Sequence, residues 1–212
     1  MRGGLVEFSA IGTAVTVVFL MVVNWLTTPD NWWSLYPCFF MLFYPLSFLC
    51  QSKKGYQLYS ILSSLLLLIF FVVINLRETP DYYWFLYIVA PLIMWPITAF
   101  AGKKATSIGF SIWSAFGLSA YYIVLNIVFE PRFLWCIFPV FALLWWPISR
   151  ILGRYPLPYA CISSLLTIVF FVVLNAITTP GTIWAIYPIF AVLWWPLSVY
   201  YFIYKPSHVN RK

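Results

Sequence analysis

The chain has 212 residues, of which 64% are hydrophobic and only 8% charged, and it carries a formal net charge of +7. A soluble domain holds about 45–50% apolar and about 25% charged residues, so a soluble fold is excluded. Disorder is excluded too, because this much apolar surface cannot be left in water. What remains is an all-α integral membrane protein.

The first apolar run is Leu5–Leu26 and the second is Trp32–Cys50. Between them lies Thr28-Pro29, which reads as an N-cap threonine followed by proline at the first position of the second helix. The first run opens after Arg2 and carries Glu7. Its partner run follows at once, so it reads as a retained helix and not as a secretory signal.

The next runs are Tyr56–Leu76 and Tyr82–Phe100, joined by Thr79-Pro80, then Thr106–Ile127 and Phe133–Ile151, joined by Glu130-Pro131. The last are Pro158–Ala176 and Thr182–Tyr204, joined by Thr179-Pro180. Each run is about 20 residues, the length an α-helix needs to cross a bilayer core. Barrel strands would be half as long and would alternate in polarity. The expectation is eight transmembrane helices in four hairpins.

One register unites the four hairpins. Asn24, Asn75, Asn126 and Asn175 recur at spacings of 51, 51 and 49. Counting each asparagine as zero, a proline follows at +5 (Pro29, Pro80, Pro131, Pro180) and a tryptophan at +9 (Trp33, Trp84, Trp135, Trp184). Aromatic residues stand at +12 (Tyr36, Tyr87, Phe138, Tyr187) and +20 (Tyr44, Trp95, Trp146, Trp195). Prolines stand at +13 in three copies (Pro37, Pro139, Pro188) and at +21 in all four (Pro45, Pro96, Pro147, Pro196). A hydroxyl closes the pattern at +23 (Ser47, Thr98, Ser149, Ser198). Self-similarity at a fixed period marks a repeat architecture. The reading is one membrane domain of four parallel-repeated helical hairpins, about 1–52, 53–103, 104–154 and 155–212, with a pseudo-fourfold bundle as one possible arrangement.

Charge sets the expected orientation. Lys53, Lys54, Lys103, Lys104, Arg150 and Arg154 lie between hairpins, and Arg2, Lys205, Arg211 and Lys212 lie near the ends. That places ten of the twelve basic residues on one side, leaving Arg77 and Arg132 at the tips with Asp30, Glu78, Asp81 and Glu130. By the positive-inside rule the termini and linkers are cytoplasmic and the tips external, in a multi-pass cell-membrane protein. No basic domain stands outside the membrane to bind nucleic acid. The basic loops are instead suited to anionic lipid headgroups or a membrane-protein partner.

The polar residues within the apolar runs are the candidate site. Two readings of the four asparagines stand: each bonds its own hairpin tip or the adjacent helix, or the four form a ring of amides near the external mouth that holds an ion or a headgroup. The tryptophans at +9 and aromatics at +20 likewise read either as packing and interfacial residues or as the wall of a cavity for a lipid, hydrophobe or organic cation. The prolines at +13 and +21 are placed about two and four turns into the second helix, as fixed kinks or as hinges. Small and hydroxyl residues of the first helices (Ser9, Gly12 and Thr13; Ser60, Ser63 and Ser64; Ser111, Ser114 and Ala115; Ser163 and Ser164) read as seams for close helix approach.

Cys38, Cys50, Cys136 and Cys161 read as small hydrophobes, with a lipidated Cys50 the weaker alternative, and the single histidine, His208, makes a zinc site improbable. No acid, base or histidine is placed at bilayer depth, which argues against catalysis and against ion-coupled transport. No cofactor or metal is expected.

Trp184-Ala-Ile-Tyr187-Pro188, followed by Leu193-Trp194-Trp195-Pro196, resembles the bacterial two-transmembrane hairpin domain family. That family begins its second helix with aromatic-x-x-aromatic-Pro and places a tryptophan a turn or two later; this chain continues Trp-Pro-x-Ser where the family has glycines. The resemblance implies a bacterial membrane module, found alone, in tandem or fused to regulators, and it brings no catalytic residues. Two functions follow as expectations: a non-enzymatic sensor, scaffold or accessory subunit of a membrane complex, or a small transporter or channel with an aromatic-lined cavity.

Overall fold

In the computed structural model, which describes residues 2–50 and 55–206, all regular structure is helical. Helix α1 spans Arg2–Thr27, α2 Leu35–Met41, α3 Phe43–Leu49, α4 Gly55–Glu78 and α5 Leu86–Ala101. Helix α6 spans Ile108–Phe129, α7 Ile137–Leu152, α8 Pro156–Thr178 and α9 Ile186–Val199. A 3-10 turn, Gly102–Thr106, follows α5, with Gly102 at a φ of 52° that suits its missing side chain. A π-helical turn, Tyr200–Tyr204, extends α9.

Among the described residues, six helical segments are long and apolar enough to cross a membrane, including Gly3–Thr27, Gly55–Glu78, Ile108–Phe129 and Pro156–Thr178. The protein is therefore a multi-pass membrane protein. Two second helices are shorter than the sequence suggests: Leu35–Leu49, broken at Leu42, and Ile137–Leu152. At 1.5 Å per residue they rise roughly 22–24 Å, less than a hydrocarbon core of about 30 Å.

The second helices start later than the Thr-Pro tips imply. All four begin at +11, at Leu35, Leu86, Ile137 and Ile186. Proline at +5 is not at a helix N-terminus. In three copies it sits at the second position of a β-turn, closed by N–H donation from Asn31 to the Thr28 carbonyl (3.1 Å), Tyr82 to Thr79 (3.2 Å) and Thr182 to Thr179 (3.1 Å). Consequently Pro37, Pro139 and Pro188 lie in the first turn of their helices and not two turns in. There a missing N–H removes no hydrogen bond.

The prolines at +21 do fall inside helices, and copies differ in response. Pro45 follows the break between α2 and α3, whereas Pro96, Pro147 and Pro196 stand in continuous helices. The second copy has no proline at +13, and its Pro91, at +16, lies inside α5. The +23 hydroxyls answer locally: Ser47 donates to the Tyr44 carbonyl (2.7 Å), Thr98 to Trp95 (2.7 Å) and Ser149 to Trp146 (2.9 Å).

The chain divides into two compact halves, Met1–Gly102 and Lys103–Lys212. In the first, α1 packs on α2 and α3, and α4 on α5; α3 then meets α4. In the second, α6 packs on α7, α8 on α9, and α7 on α8. Each half thus holds two helix pairs joined through the second helix of one and the first helix of the next. The rings there match: Phe39 lies flat on Phe70 (4.0 Å, 11°), and Phe141 lies flat on Phe170 (4.1 Å, 20°).

Within pairs the seam is made by small side chains. Ser9, Ser60, Ser111 and Ala160, all at −15, are completely buried. The three serines donate to the carbonyls of Val6 (2.8 Å), Gln57 (2.7 Å) and Ile108 (2.7 Å) one turn back. No side chain is large enough there to hold the helices apart, so the backbones close together.

Candidate functional site

The four asparagines build the most regular polar structure in the molecule. Each lies a turn before the end of its first helix, with its side chain turned into the tip. The Asn24 amide donates to the carbonyls of Thr28 (2.8 Å) and Asn31 (2.7 Å), and its oxygen accepts the Ser34 N–H (2.9 Å). Asn75 donates to Thr79 (2.8 Å) and Tyr82 (2.7 Å) and accepts from Phe85 (3.0 Å). Asn126 donates to Glu130 (2.5 Å) and Phe133 (2.8 Å) and accepts from Cys136 (3.0 Å). Asn175 donates to Thr179 (2.9 Å) and Thr182 (2.8 Å) and accepts from Ala185 (2.9 Å). The partners fall at +4, +7 and +10 in every copy.

The amide has two N–H hydrogens and both are occupied, so no donor remains for a ligand. All four asparagines are buried, Asn75 completely. Buried peptide groups need partners, and the N–H at +10 has the asparagine oxygen as its acceptor in every copy. Of the two readings drawn from the sequence, the self-contained one describes each tip: every amide bonds its own hairpin.

Tryptophan at +9 completes the clasp. Its Nε1–H donates to the tip threonine hydroxyl in three copies: Trp33 to Thr28 (2.9 Å), Trp84 to Thr79 (2.8 Å) and Trp184 to Thr179 (2.6 Å). The threonine therefore acts as an acceptor for an indole and not as a helix cap. The ring packs edge-on against an aromatic at −4: Phe71 on Trp84 (6.0 Å), Tyr122 on Trp135 (6.3 Å) and Phe171 on Trp184 (6.1 Å). Leu20 holds that position in the first copy.

The aromatics at +20 are not part of this cluster. They stand nine residues beyond the first residue of the second helix, roughly 14 Å by helix rise. There Trp95 meets Tyr59 (6.0 Å), Trp146 meets Phe110 (5.8 Å) and Trp195 meets Tyr159 (5.8 Å), each at −16. Trp195 also stacks on Trp145 at 6.1 Å. Tyr44 is exposed and packs on Phe48 of its own helix. In the second, third and fourth pairs one aromatic cluster thus lies at the tip and another toward the opposite end of the same pair.

Two grooves open beside the tips. One of about 240 Å³ is lined by Met21, Asn24, Trp25, Pro29, Trp32 and Leu35. The other, of about 400 Å³, is lined by Val172, Asn175, Pro180, Ile183, Ile186 and Ile189. Their walls are almost wholly apolar, and each asparagine there already has its bonds.

At the opposite end, Lys103, Lys104, Arg150 and Arg154 are exposed. Lys53, Lys54, His208, Arg211 and Lys212 lie outside the described residues, as does the side chain of Arg2. Among the described residues, the buried hydroxyls of Thr13, Ser63, Ser64 and Ser163, within the first helices, have no hydrogen-bond partner. Ser164 only reaches the Val192 carbonyl at 3.5 Å, the carbonyl left free by Pro196. Among the described residues, no group of three or more His, Cys, Asp or Glu side chains comes together.

The residues at +10 were not legible as partners, since Ser34, Phe85, Cys136 and Ala185 share no chemistry and contribute only a backbone N–H. The aromatic at −4 did carry a signal, because Phe71, Tyr122 and Phe171 recur in register with the tryptophan. No protein-family model, no curated protein and no solved structure matches this chain.

Proposed function

We propose that the chain is a non-enzymatic membrane protein that works through its surfaces, as a scaffold, sensor or accessory subunit of a membrane complex. Eight spans, with α2 and α3 together forming one, cross the cell membrane as four copies of one hairpin. The apolar tip residues complete the depth that the shorter second helices lack. Tips face outward, and the termini and the loops carrying Lys103, Lys104, Arg150 and Arg154 face the cytoplasm, where they offer a partner or anionic lipid a basic surface.

The observation that carries this reading is the saturation of the four asparagine amides by their own tips. A transporter built around them would need amide donors free for its substrate. The transporter reading draws on the two apolar grooves beside the tips, whose walls suit acyl chains or flat hydrophobes.

Native mass spectrometry of the full chain, extracted in mild detergent, separates the readings. The scaffold reading expects a stoichiometric protein partner that is lost in a Lys103→Gln, Lys104→Gln variant that still folds. A bare chain, or a partner indifferent to those charges, overturns it. A retained small molecule lost on Trp25→Ala or Ile183→Ala would instead support the transporter.

A further inference from the structure

Positive charge gathers at one end of the third helix pair. Lys103 and Lys104 lie in the 3-10 turn that leads into α6, Arg150 in the last turn of α7 and Arg154 just past it. The rings of Phe110 and Trp146, 5.8 Å apart, show how these ends meet: Phe110 follows Lys104 by six residues and Trp146 precedes Arg150 by four. Packing of α6 on α7 therefore brings all four cations to one end of one pair. All four are exposed, and among the described residues none of them enters an ion pair. The single acid of this half of the chain, Glu130, stands at the tip, the opposite end. The N-terminus of α6, where the Ser107 hydroxyl accepts the Phe110 N–H (3.2 Å), turns the positive end of its dipole to the same place.

Orientation in a membrane asks only for charge in loops, yet Arg150 stands within a helix. The other copies carry Phe48, Ala99 and Val199 at this position, +24. Helix α7 is one of the two second helices shorter than a hydrocarbon core, and Arg150 lies thirteen residues beyond its first residue, roughly 20 Å by helix rise. An arginine this close to hydrocarbon is costly unless its guanidinium reaches up to the phosphates. Beside it, Trp145 of α7, Tyr159 of α8 and Trp195 of α9 form a half-buried triangle. Their ring centres are 6.5 Å (Trp145 to Tyr159), 6.1 Å (Trp145 to Trp195) and 5.8 Å (Tyr159 to Trp195) apart. Such rings favour the level of headgroups and glycerol.

We propose that this end of the third pair binds the headgroup phosphate of an anionic phospholipid. Arg150 and Arg154 hold the phosphate oxygens with their planar forks, and Lys103 and Lys104 supply the surrounding positive field. The glycerol and the upper acyl chains lie along Trp145, Tyr159 and Trp195. The occupant is a lipid because the cations continue directly into an aromatic wall at membrane depth, for which a soluble phosphate or an acidic peptide has no use. A zwitterionic headgroup is disfavoured, since its own ammonium meets four like charges. The inference rests on the basic-surface reading above and names one occupant for that surface.

The test uses the full chain purified alone in mild detergent. Native mass spectrometry compares the first bound molecule of phosphatidylglycerol with that of phosphatidylcholine of the same acyl chains, both added at equal concentration. The proposal expects a roughly tenfold preference for phosphatidylglycerol, the size that contact with two arginines supports. In an Arg150→Gln, Arg154→Gln variant the preference falls to parity. Arg150→Lys, which keeps the charge and lacks the fork, loses at least half of it and serves should the double variant not fold, which a melting curve decides. Lys205→Gln removes a charge whose ammonium lies over the Tyr201 ring at 5.3 Å, outside the cluster, and keeps the preference. Equal binding of the two lipids overturns the proposal, as does an equal loss in Lys205→Gln, which would mean general attraction to net charge. Displacement of the lipid by inorganic phosphate also overturns it, by assigning the cations to a soluble anion. No other protein is present, so failure here leaves the scaffold reading standing, and loss of a protein partner leaves this site standing.

Discussion

The tips and the mid-helix seam treat buried polarity in opposite ways. At the tips every asparagine is saturated, with three bonds to backbone groups at fixed offsets and an indole bonded beside it in three copies. In the seam, Ser9, Ser60 and Ser111 at −15 bond only carbonyls of their own helices, and Thr13, Ser63, Ser64 and Ser163 at −11 and −12 are as buried as the asparagines but have no partner. Both kinds of residue look alike in the sequence, as polar groups recurring in apolar helices. The difference lies in what the backbone needs. A tip leaves peptide groups unpaired, and a side chain that supplies them fixes its geometry. A helix interior leaves none, so a serine there contributes smallness and its hydroxyl is incidental.

This contrast predicts a graded series of effects. Asn75→Ala is the most damaging, because it leaves the N–H of Phe85 without its acceptor and takes one of two donors from each of the Thr79 and Tyr82 carbonyls. We expect a loss of about 2–4 kcal/mol, seen as a lower unfolding midpoint in detergent. Unchanged stability would remove the clasp from the account. Ser60→Leu comes next: the side chain at −15 is completely buried against the partner helix, and overfilling such a site costs about 1–3 kcal/mol. Wild-type stability there would mean the seam is looser than described.

Thr79→Val should cost about 1 kcal/mol, by leaving the Trp84 indole N–H without its acceptor. The same substitution should shift Trp84 fluorescence, which a purely steric role would not do. Ser63→Ala is the smallest and has the opposite sign. Removing an unpartnered buried hydroxyl should leave stability unchanged or raise it by up to about 1 kcal/mol. A clear loss would show that the hydroxyl has a partner, and the contrast between tip and seam would then fail.

Much of this architecture was open to sequence reading, and the failures have physical causes. The four-fold register of asparagine, proline and tryptophan is visible because those side chains make the tip. The start of the second helix was misread because Thr-Pro suits both a helix N-terminus and a β-turn. The asparagine decides between them, by taking the carbonyls at +4 and +7 that a helix would have turned inward. The partners at +10 could not be read, because a backbone N–H leaves no mark on residue type. Helix lengths were overestimated where apolar tip residues such as Trp32 and Phe133 continue the hydrophobic run beyond the helix. The contact of Phe39 with Phe70 was legible in principle from register but needed the pairing order of the helices, which the sequence left open.

Hydrogen exchange in lipid nanodiscs tests the central claim most directly. The amide hydrogens of Ser34, Phe85, Cys136 and Ala185 precede the first turn of their helices, where exchange is ordinarily fast. The clasp predicts strong protection at all four, and selective loss of protection at Phe85 in Asn75→Ala with the other three retained. Fast exchange at these positions in the unmodified chain, or protection of Phe85 that survives Asn75→Ala, would contradict it.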